Sequence, residues 1–165
     1  MRREIDQVVK HLLIVAVLTG LASCATVGDE LAAEPGHDVI RVSVGPCYGP
    51  CPIYDLVIAS NGVARFRART FQRAGRVQTR VVGVERYEAV ATALAAYRPP
   101  NTLPPCGEGW TDAQEYTITW TDRSGETVQL DHYSGDGCPE SEALTDVLLT
   151  IPTVAGVADL VRKPA

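Results

Sequence analysis

The stretch Gly45-Pro46-Cys47-Tyr48-Gly49-Pro50-Cys51-Pro52-Ile53-Tyr54 places two cysteines inside a run of prolines and glycines. Three residues separate the cysteines, and an apolar alternating segment begins directly after them. A helix across the stretch is excluded, because proline removes a backbone donor and both residue types favour turns. The stretch is therefore predicted to be a loop that joins two strands and lets its two sulfur atoms meet.

Strand patterns flank this loop on both sides. Apolar and polar side chains alternate before and after it, which is the period of a strand with one buried face. Asn61-Gly62 favours a tight hairpin turn in which both central residues take a positive φ. The strands predicted for the first half of the chain are 39–44, 53–59, 63–70 and 77–82.

In the second half of the chain, the spacing of the apolar side chains changes twice. Residues 84–97 repeat apolar side chains at three- and four-residue steps, which predicts a helix that Pro99-Pro100 ends. A long loop then leads to a second hairpin, with strands at 115–121 and 127–132. Residues 139–151 predict another helix that Pro152 interrupts, and 154–161 a further short helix. The strands-helix-strands-helix order predicts an α+β domain, in which a mainly antiparallel sheet built from hairpins packs its helices on one face.

Residues 1–23 have the pattern of an export signal. Basic residues precede the apolar run 12–18, which is too short to span a bilayer but suits a secretory signal. Leu21-Ala22-Ser23-Cys24 resembles the bacterial lipobox, in which the cysteine is lipidated and becomes the first mature residue. We therefore expect an acylated Cys24 to hold the chain in a lipid bilayer. Ala25 after it resembles the default sorting of Gram-negative lipoproteins to the outer membrane, facing the periplasm.

We predict a signal peptide at 1–23, a lipidated tether at 24–38 and a single domain at 39–162. The tether mixes glycine, alanine, glutamate and proline without periodicity. Removing the signal takes away three basic and two acidic residues, so the net charge changes from −5 to −6. An acidic domain without a cluster of lysine or arginine argues against nucleic acid as a partner.

Four cysteines remain once Cys24 is assigned to lipid, namely Cys47, Cys51, Cys106 and Cys138. An even number in an exported domain predicts disulfides, and four cysteines allow three pairings. We favour Cys47–Cys51 and Cys106–Cys138, because the loop can curl and bring its own two sulfurs together. The crossed pairings stay open on these grounds.

The cysteines also suggest two other chemistries. Structural zinc sites use closely spaced cysteine pairs, but only Cys47 and Cys51 have such spacing, and no histidine lies beside them. Thioredoxin-type chemistry uses Cys-x-x-Cys at a helix N-terminus, where the dipole lowers the thiol pKa. Here the spacing is one residue longer and a strand follows. We predict no metal and no cofactor, and keep thiol–disulfide redox chemistry at Cys47 and Cys51 as an alternative.

The candidate catalytic residues do not complete a known constellation. His132 lies close in sequence to Ser134, Ser141, Asp131 and Asp136, but no Gly-x-Ser-x-Gly nucleophile motif is present. We therefore predict that the protein is not an enzyme.

Arg65, Arg67 and Arg69 occupy alternate positions of one predicted strand. Alternate residues share one face of a sheet, so we expect three guanidinium groups in line. The simplest interpretation is a solvated strand face, and an anionic ligand held by the line is the alternative.

Cys47-Tyr48-Gly49-Pro50-Cys51-Pro52-Ile53-Tyr54, followed by an apolar strand and Asn61-Gly62, resembles the signature Cys-[Phe/Tyr]-Gly-x-Cys-Pro-x-Tyr. This signature belongs to the bacterial family called domain of unknown function 6438. Thr111-Asp112, the run 131–135 and Pro139 also fit the family pattern, so that the resemblance covers 39–161. It supplies no activity, substrate or catalytic residues. Cys106 and Cys138 look like additions to the family pattern, which implies that they pair with each other.

These observations lead us to expect a non-enzymatic, membrane-anchored envelope lipoprotein that serves as a binding or structural module. An envelope protein is the expected partner. A thiol–disulfide redox protein is the first alternative, and an inhibitor or anionic-ligand-binding domain the second. The residues expected to contact a ligand or partner are Tyr48, Arg65, Arg67, Arg69, Asp112 and His132.

Overall fold

The computed structural model describes residues 31–32, 35–70, 74–101, 109 and 111–161. The strands are β1 (Val39–Val44), β2 (Ile53–Ala59), β3 (Val63–Arg69), β4 (Gln78–Val81), β5 (Glu115–Thr121) and β6 (Thr127–Tyr133). The α-helices are α1 (Val84–Leu94) and α2 (Pro139–Val154), and two 3₁₀-helices cover Ala95–Tyr97 and Ala158–Leu160. The last of these replaces the short helix predicted at 154–161.

The strands form one antiparallel sheet in the order β4-β3-β2-β1-β5-β6. Each of β2, β3 and β4 pairs with the strand before it, and β5 pairs with β6. β1 joins the two halves, because it pairs with β2 along one edge and with β5 along the other. The predicted α+β class and the strands-helix-strands-helix order are confirmed.

One face of the sheet packs against both helices. The alternation in each strand places its apolar side chains on this face, where they meet the apolar stripes of α1 and α2. The buried core on the strands comprises Ile40, Val42, Val44, Tyr54, Leu56, Ile58, Ala64, Phe66, Tyr116, Ile118 and Trp120. The rest of the core is Val90 and Leu94 of α1, Leu144, Leu148 and Ile151 of α2, and Ala155 and Val157 after α2.

The opposite face, called the polar face below, carries charged and hydroxyl side chains. The register places Ser43, Asp55 and Arg67 side by side across β1, β2 and β3. On the other half of the sheet, Thr117 lies opposite Asp131. The polar face therefore contains cations and carboxylates on neighbouring strands, close enough to interact.

Helix α2 does not stop at Pro152, as predicted, but continues through it to Val154. Pro152 lies in the last turn, where its missing N–H removes only one intrahelical hydrogen bond. Gly156 follows the C-cap residue Ala155 and stops the helix there, since its φ of 72° is the left-handed conformation that glycine favours. Gly156 N–H donates to Thr153 O and Val157 N–H donates to Pro152 O, which satisfies the last carbonyls. The glycine, rather than the proline, ends the helix.

The turn between β2 and β3 also differs from its prediction. Among the described residues, positive φ values occur only at glycines, so Asn61 does not take one. Gly62 has φ 78°, and its N–H donates to Ala59 O at 2.9 Å. The loop is therefore a three-residue hairpin connection with glycine at its left-handed position. A Cβ on Gly62 would meet the backbone of Gly83 at 2.6 Å, so this turn also packs against the start of α1.

In the part of the chain that the structure describes, no helix combines the length and the apolar character needed to cross a bilayer.

Candidate functional site

Residues 45–52, called the Cys loop below, connect β1 to β2. Cys47 and Cys51 form a disulfide, and their Cα atoms lie 5.9 Å apart. Gly49 N–H donates to Cys47 O at 3.0 Å inside the closed ring. Tyr48, at the tip, is 88% exposed. The loop therefore projects one aromatic side chain from a covalently closed turn.

The start of β5 holds the Cys loop from the side. Gly45 N–H donates to Glu115 O at 2.7 Å, and Tyr48 N–H donates to Asp112 O at 3.1 Å. A Cβ on Gly45 would lie 3.2 Å from Glu115 O, which shows how closely the two backbones approach. Because Tyr48 is bonded through its backbone, its side chain can be exposed while its position stays fixed.

Gln114 connects both ends of the Cys loop to the sheet. Its side-chain Nε2 donates to Gly45 O at 2.9 Å and to Pro52 O at 2.8 Å. Tyr116 OH donates to Gln114 Oε1 at 3.0 Å. Gln114 is buried, so each of these hydrogen bonds satisfies a group that water does not reach freely.

The end of β6 closes the same region. Ser134 Oγ accepts from Gln114 N–H at 3.0 Å and donates to Gln114 O at 3.1 Å. Tyr133 OH accepts from Ala113 N–H at 2.9 Å. The Cys loop, the segment before β5 and the end of β6 thus form one hydrogen-bonded cluster at one end of the sheet. Below, this end is called the Cys-loop end.

His132 lies at this end but faces the helices. Its Nε2 is 2.8 Å from Thr145 Oγ1. Thr145 donates its hydroxyl proton to Ser141 O at 3.0 Å, so His132 Nε2 must be the donor to Thr145. Burial lowers the pKa of His132, and the charge of Asp136 opposes this shift in part. The lowered pKa and the Thr145 hydrogen bond both favour a neutral imidazole with its proton on Nε2.

The residues considered for hydrolysis do not assemble. Asp131 lies on the polar face, where it accepts from Thr117 Oγ1 at 2.8 Å, while His132 lies on the other face. Ser134 Oγ is engaged by the backbone of Gln114. Ser141 is 1% exposed, which places its hydroxyl out of reach of a substrate in solution.

The arginine line is partly neutralised by a carboxylate that the sequence prediction overlooked. Asp55 on β2 lies opposite Arg67, with Oδ2 3.3 Å from Arg67 Nη2 and 3.2 Å from Arg69 Nε. The second contact is an ion pair without hydrogen-bond geometry, while Arg69 Nη2 donates to Val44 O at 3.0 Å. Arg65 Nη1 donates to Ala32 O at 2.8 Å. All three guanidinium groups are engaged within the chain, which argues against the line as a free anion site.

A groove of about 380 Å³ lies over β1 and β5 on the polar face. Residues 31–32 and 35–37 and the turn 122–125 line its rim. Arg123 closes one side, because its Nε donates to Asp38 Oδ2 at 3.0 Å and its N–H to Asp38 Oδ1 at 3.2 Å. The last residues of the predicted tether therefore contact the sheet.

Cys24 and Cys106, predicted to carry the lipid and a disulfide, lie outside the described residues. Cys138 is disulfide-bonded, and its pairing with Cys106 stays a prediction. Over the described ranges, no group of three or more histidine, cysteine or acidic side chains is arranged to hold a metal ion.

The comparison with known families finds a match that covers most of the chain. The model of the family described as domain of unknown function, DUF6438, matches residues 38–154, a span that includes the Cys loop, Gln114 and His132. The chain belongs to the DUF6438 family. No curated protein matches the chain. The DUF6438 resemblance predicted from the Cys loop is therefore confirmed as family membership, and DUF6438 assigns no activity.

The structure brings three parts of the pattern that resembles DUF6438, namely the Cys loop, Asp112 and Ser134, to one end of the sheet, whereas Asn61-Gly62 lies at the other end of β2. The Cys loop contacts Asp112, and the segment after Asp112 contacts Ser134.

The sequence analysis did not identify Gln114 and Asp55 as residues of the site. The available signals were a glutamine directly before an alternating strand, and a carboxylate within the otherwise apolar strand β2, on the face opposite Tyr54, Leu56 and Ile58. Of the residues predicted to contact a partner, Tyr48 and Asp112 meet at the Cys-loop end, and the three arginines lie on the polar face.

Proposed function

We propose that this DUF6438 chain is an exported, lipid-anchored binding module that contacts an envelope protein through the tip of its Cys loop, and that it is not an enzyme. One observation supports this most directly: Tyr48 is 88% exposed on a backbone fixed by a disulfide and by Asp112. Residues 47–51 thereby present an aromatic ring to solvent at a defined place.

A fixed, exposed tyrosine suits recognition of a protein. Tyrosine is enriched among residues that dominate binding energy, since it offers a large apolar area and a polar tip. Binding costs less conformational entropy when the backbone is already ordered. Asp112, exposed beside the tip, supplies a charge at the rim of this surface.

The anchoring part of the proposal depends on the sequence before the domain. The lipobox-like Leu21-Ala22-Ser23-Cys24 and the apolar run 12–18 support acylation of Cys24 and location at the outer membrane, facing the periplasm. Mass spectrometry of the mature N-terminus tests this. We expect the chain to begin at an acylated Cys24, and Cys24→Ser to release it from membranes. A mature chain that begins elsewhere, or without lipid, would contradict the anchor.

Site-specific photocrosslinking in intact bacteria tests the binding surface. We expect a crosslinking amino acid at position 48 to give a discrete adduct with one envelope protein. The matched control is position 149 on α2, where Leu149 is also exposed. Tyr48→Phe should preserve co-purification of the partner, and Tyr48→Ala should abolish it. Equal labelling from positions 48 and 149, or none from 48, would overturn the proposal.

Thiol–disulfide exchange is the second candidate, because both Cys47 and Cys51 are partly exposed at the Cys-loop end. The discriminating measurement is the reduction potential of this pair. Catalytic disulfides lie between about −120 and −270 mV, whereas structural disulfides lie below about −300 mV. We expect the structural range for a binding module.

A further inference from the structure

The outer edge of β6 presents backbone groups without partners in the sheet. Ser134 N–H donates to Gln114 O, and Asp122 N–H donates to Glu126 O. Positions 126 and 134 therefore direct their backbone toward β5, and so do the even positions between them. The intervening residues of an antiparallel strand direct N–H and C=O to the other side. These outward-directed residues are Thr127, Gln129, Asp131 and Tyr133.

This edge carries little of the usual protection against pairing. Natural edge strands are shortened, or carry charged side chains (lysine above all), proline or a bulge, and β6 has only the carboxylate of Asp131. β4, at the other edge, spans only Gln78–Val81, whereas β6 spans seven residues and contains no lysine, arginine or proline. Thr127, Gln129 and Asp131 are exposed. Within the described part of the chain, nothing accepts a hydrogen bond from the N–H of Gln129 or Asp131.

We propose that β6 pairs antiparallel with β6 of a second copy of this chain, about a two-fold axis at Leu130. In this register, Gln129 of each copy lies opposite Asp131 of the other. Both residues direct their backbone groups outward, so the two can exchange a closely spaced pair of hydrogen bonds. The result is one continuous sheet through two domains, with an isologous interface.

The side chains of β6 complement those of a second copy in this register. Asp131 is the one acidic residue of β6. In this register the two Asp131 carboxylates do not lie opposite each other. Gln129 Nε2 already donates to Asp131 Oδ2 at 2.9 Å within one chain, and Thr117 donates to Oδ1 at 2.8 Å. The paired edge would place the Gln129 amide of the second copy beside the same carboxylate. On the helix side, Leu130 would meet its own symmetry copy, which extends the apolar surface.

Cysteine trapping tests the register. Opposed residues at a non-hydrogen-bonded position have Cα atoms about 4.5 Å apart, within the range of a disulfide. We expect Leu130→Cys in the full-length chain, purified in mild detergent and oxidised with copper phenanthroline, to form a covalent dimer. Val128→Cys is the matched control on the same strand and face. Position 128 lies four residues from its own copy, about 13 Å, and should not crosslink. Crosslinking at both positions, or at neither, would overturn the proposal.

Charge substitution tests the pairing without touching the core. Gln129→Lys places a cation opposite Asp131 and should tighten the dimer about two- to thirtyfold, since two symmetric pairs each gain. Gln129→Glu should weaken it by a similar factor. Sedimentation of both full-length variants in the same detergent measures these dissociation constants. If Gln129 instead lay opposite Gln129 of the second copy, both variants would weaken the dimer, which would overturn the proposed register. A wild-type chain that stays monomeric at all concentrations would refute the pairing.

Discussion

Nε2 of Gln114 lies 2.8 Å from the carbonyl oxygen of Pro52. This hydrogen bond joins the residue before β5 to the last residue of the Cys loop, although the two are far apart in sequence. The same nitrogen donates to Gly45 O. A single buried amide therefore holds both ends of the disulfide loop against the sheet.

Gln114→Ala should destabilise the fold by about 2–4 kcal/mol, because it leaves buried polar groups without partners. The groups concerned are Gly45 O, Pro52 O and the hydroxyl of Tyr116. Urea unfolding monitored by circular dichroism gives the change. Gln78→Ala, at an exposed position of β4, should stay within about 0.5 kcal/mol. Equal effects of the two substitutions would show that the Gln114 network adds little.

Asp55→Asn should destabilise by about 2–3 kcal/mol, since it leaves Arg67 and Arg69 without their counter-charge on a largely buried part of the polar face. Asp131→Asn is the matched control on the same face, because the side-chain partners of Asp131 are the neutral Thr117 and Gln129. We expect less than about 1 kcal/mol there. If Arg67→Met were as costly in the Asp55→Asn background as in the wild type, the pairing would carry no coupling energy.

His132 should make stability depend on pH below about 6.5. Burial lowers the pKa of His132 in the folded state, so the unfolded chain binds a proton at higher pH than the folded chain does. Stability is then fully present above the unfolded pKa and falls as pH drops toward the folded pKa, by at most about 1.4 kcal/mol per pH unit. Denaturant unfolding at several pH values measures the slope.

The control for this slope is His132→Gln, which keeps a donor near Thr145 but does not titrate. It should remove the part of the pH dependence that His132 causes. Asp136→Asn should steepen the slope, because the Asp136 charge opposes the lowering of the His132 pKa. An unchanged slope in His132→Gln would assign the effect to other groups.

Two glycines with positive φ should respond differently to alanine. Gly62→Ala combines a strained φ with a Cβ 2.6 Å from the Gly83 backbone, and we expect a loss above about 3 kcal/mol. Gly125 has φ 90°, but a Cβ added there would have no neighbouring atom within 4 Å. Gly125→Ala should therefore cost only about 1–2 kcal/mol, which is the strain of the backbone conformation alone. Similar losses at both sites, by thermal unfolding, would contradict the close approach of Gly62 to Gly83.

Local patterns were sufficient for the strands and the fold class. Alternation predicted β1, β2 and β5 with their observed bounds. In β1 and β5 every second residue is buried, whereas β2 is buried on both faces from Tyr54 to Ala59. The rule that proline ends a helix failed at Pro152, since in the last turn a single missing donor matters little. Asn61-Gly62 marked a hairpin correctly, but the three-residue loop requires a positive φ only at Gly62.

Contacts between distant segments could not be predicted in the same way. No local pattern states that β1 pairs with β5, since both strands alternate and each could pair with several others. For the same reason the Gln114 hydrogen bonds to Gly45 and Pro52 were invisible in the sequence. The Tyr48 tip was predicted because proline and glycine define a loop locally.

The position of β1 in the middle of the sheet has a consequence for folding. In a chain that is synthesised from its N-terminus, β1 is complete early, but β5 follows only after β2, β3, β4 and α1. Until then β1 keeps one open edge, and the sheet is half built. Closure must wait for a contact of long sequence separation, which is the kind that slows folding. The nascent half-domain is therefore the stage at which this chain most needs protection from a wrong strand partner.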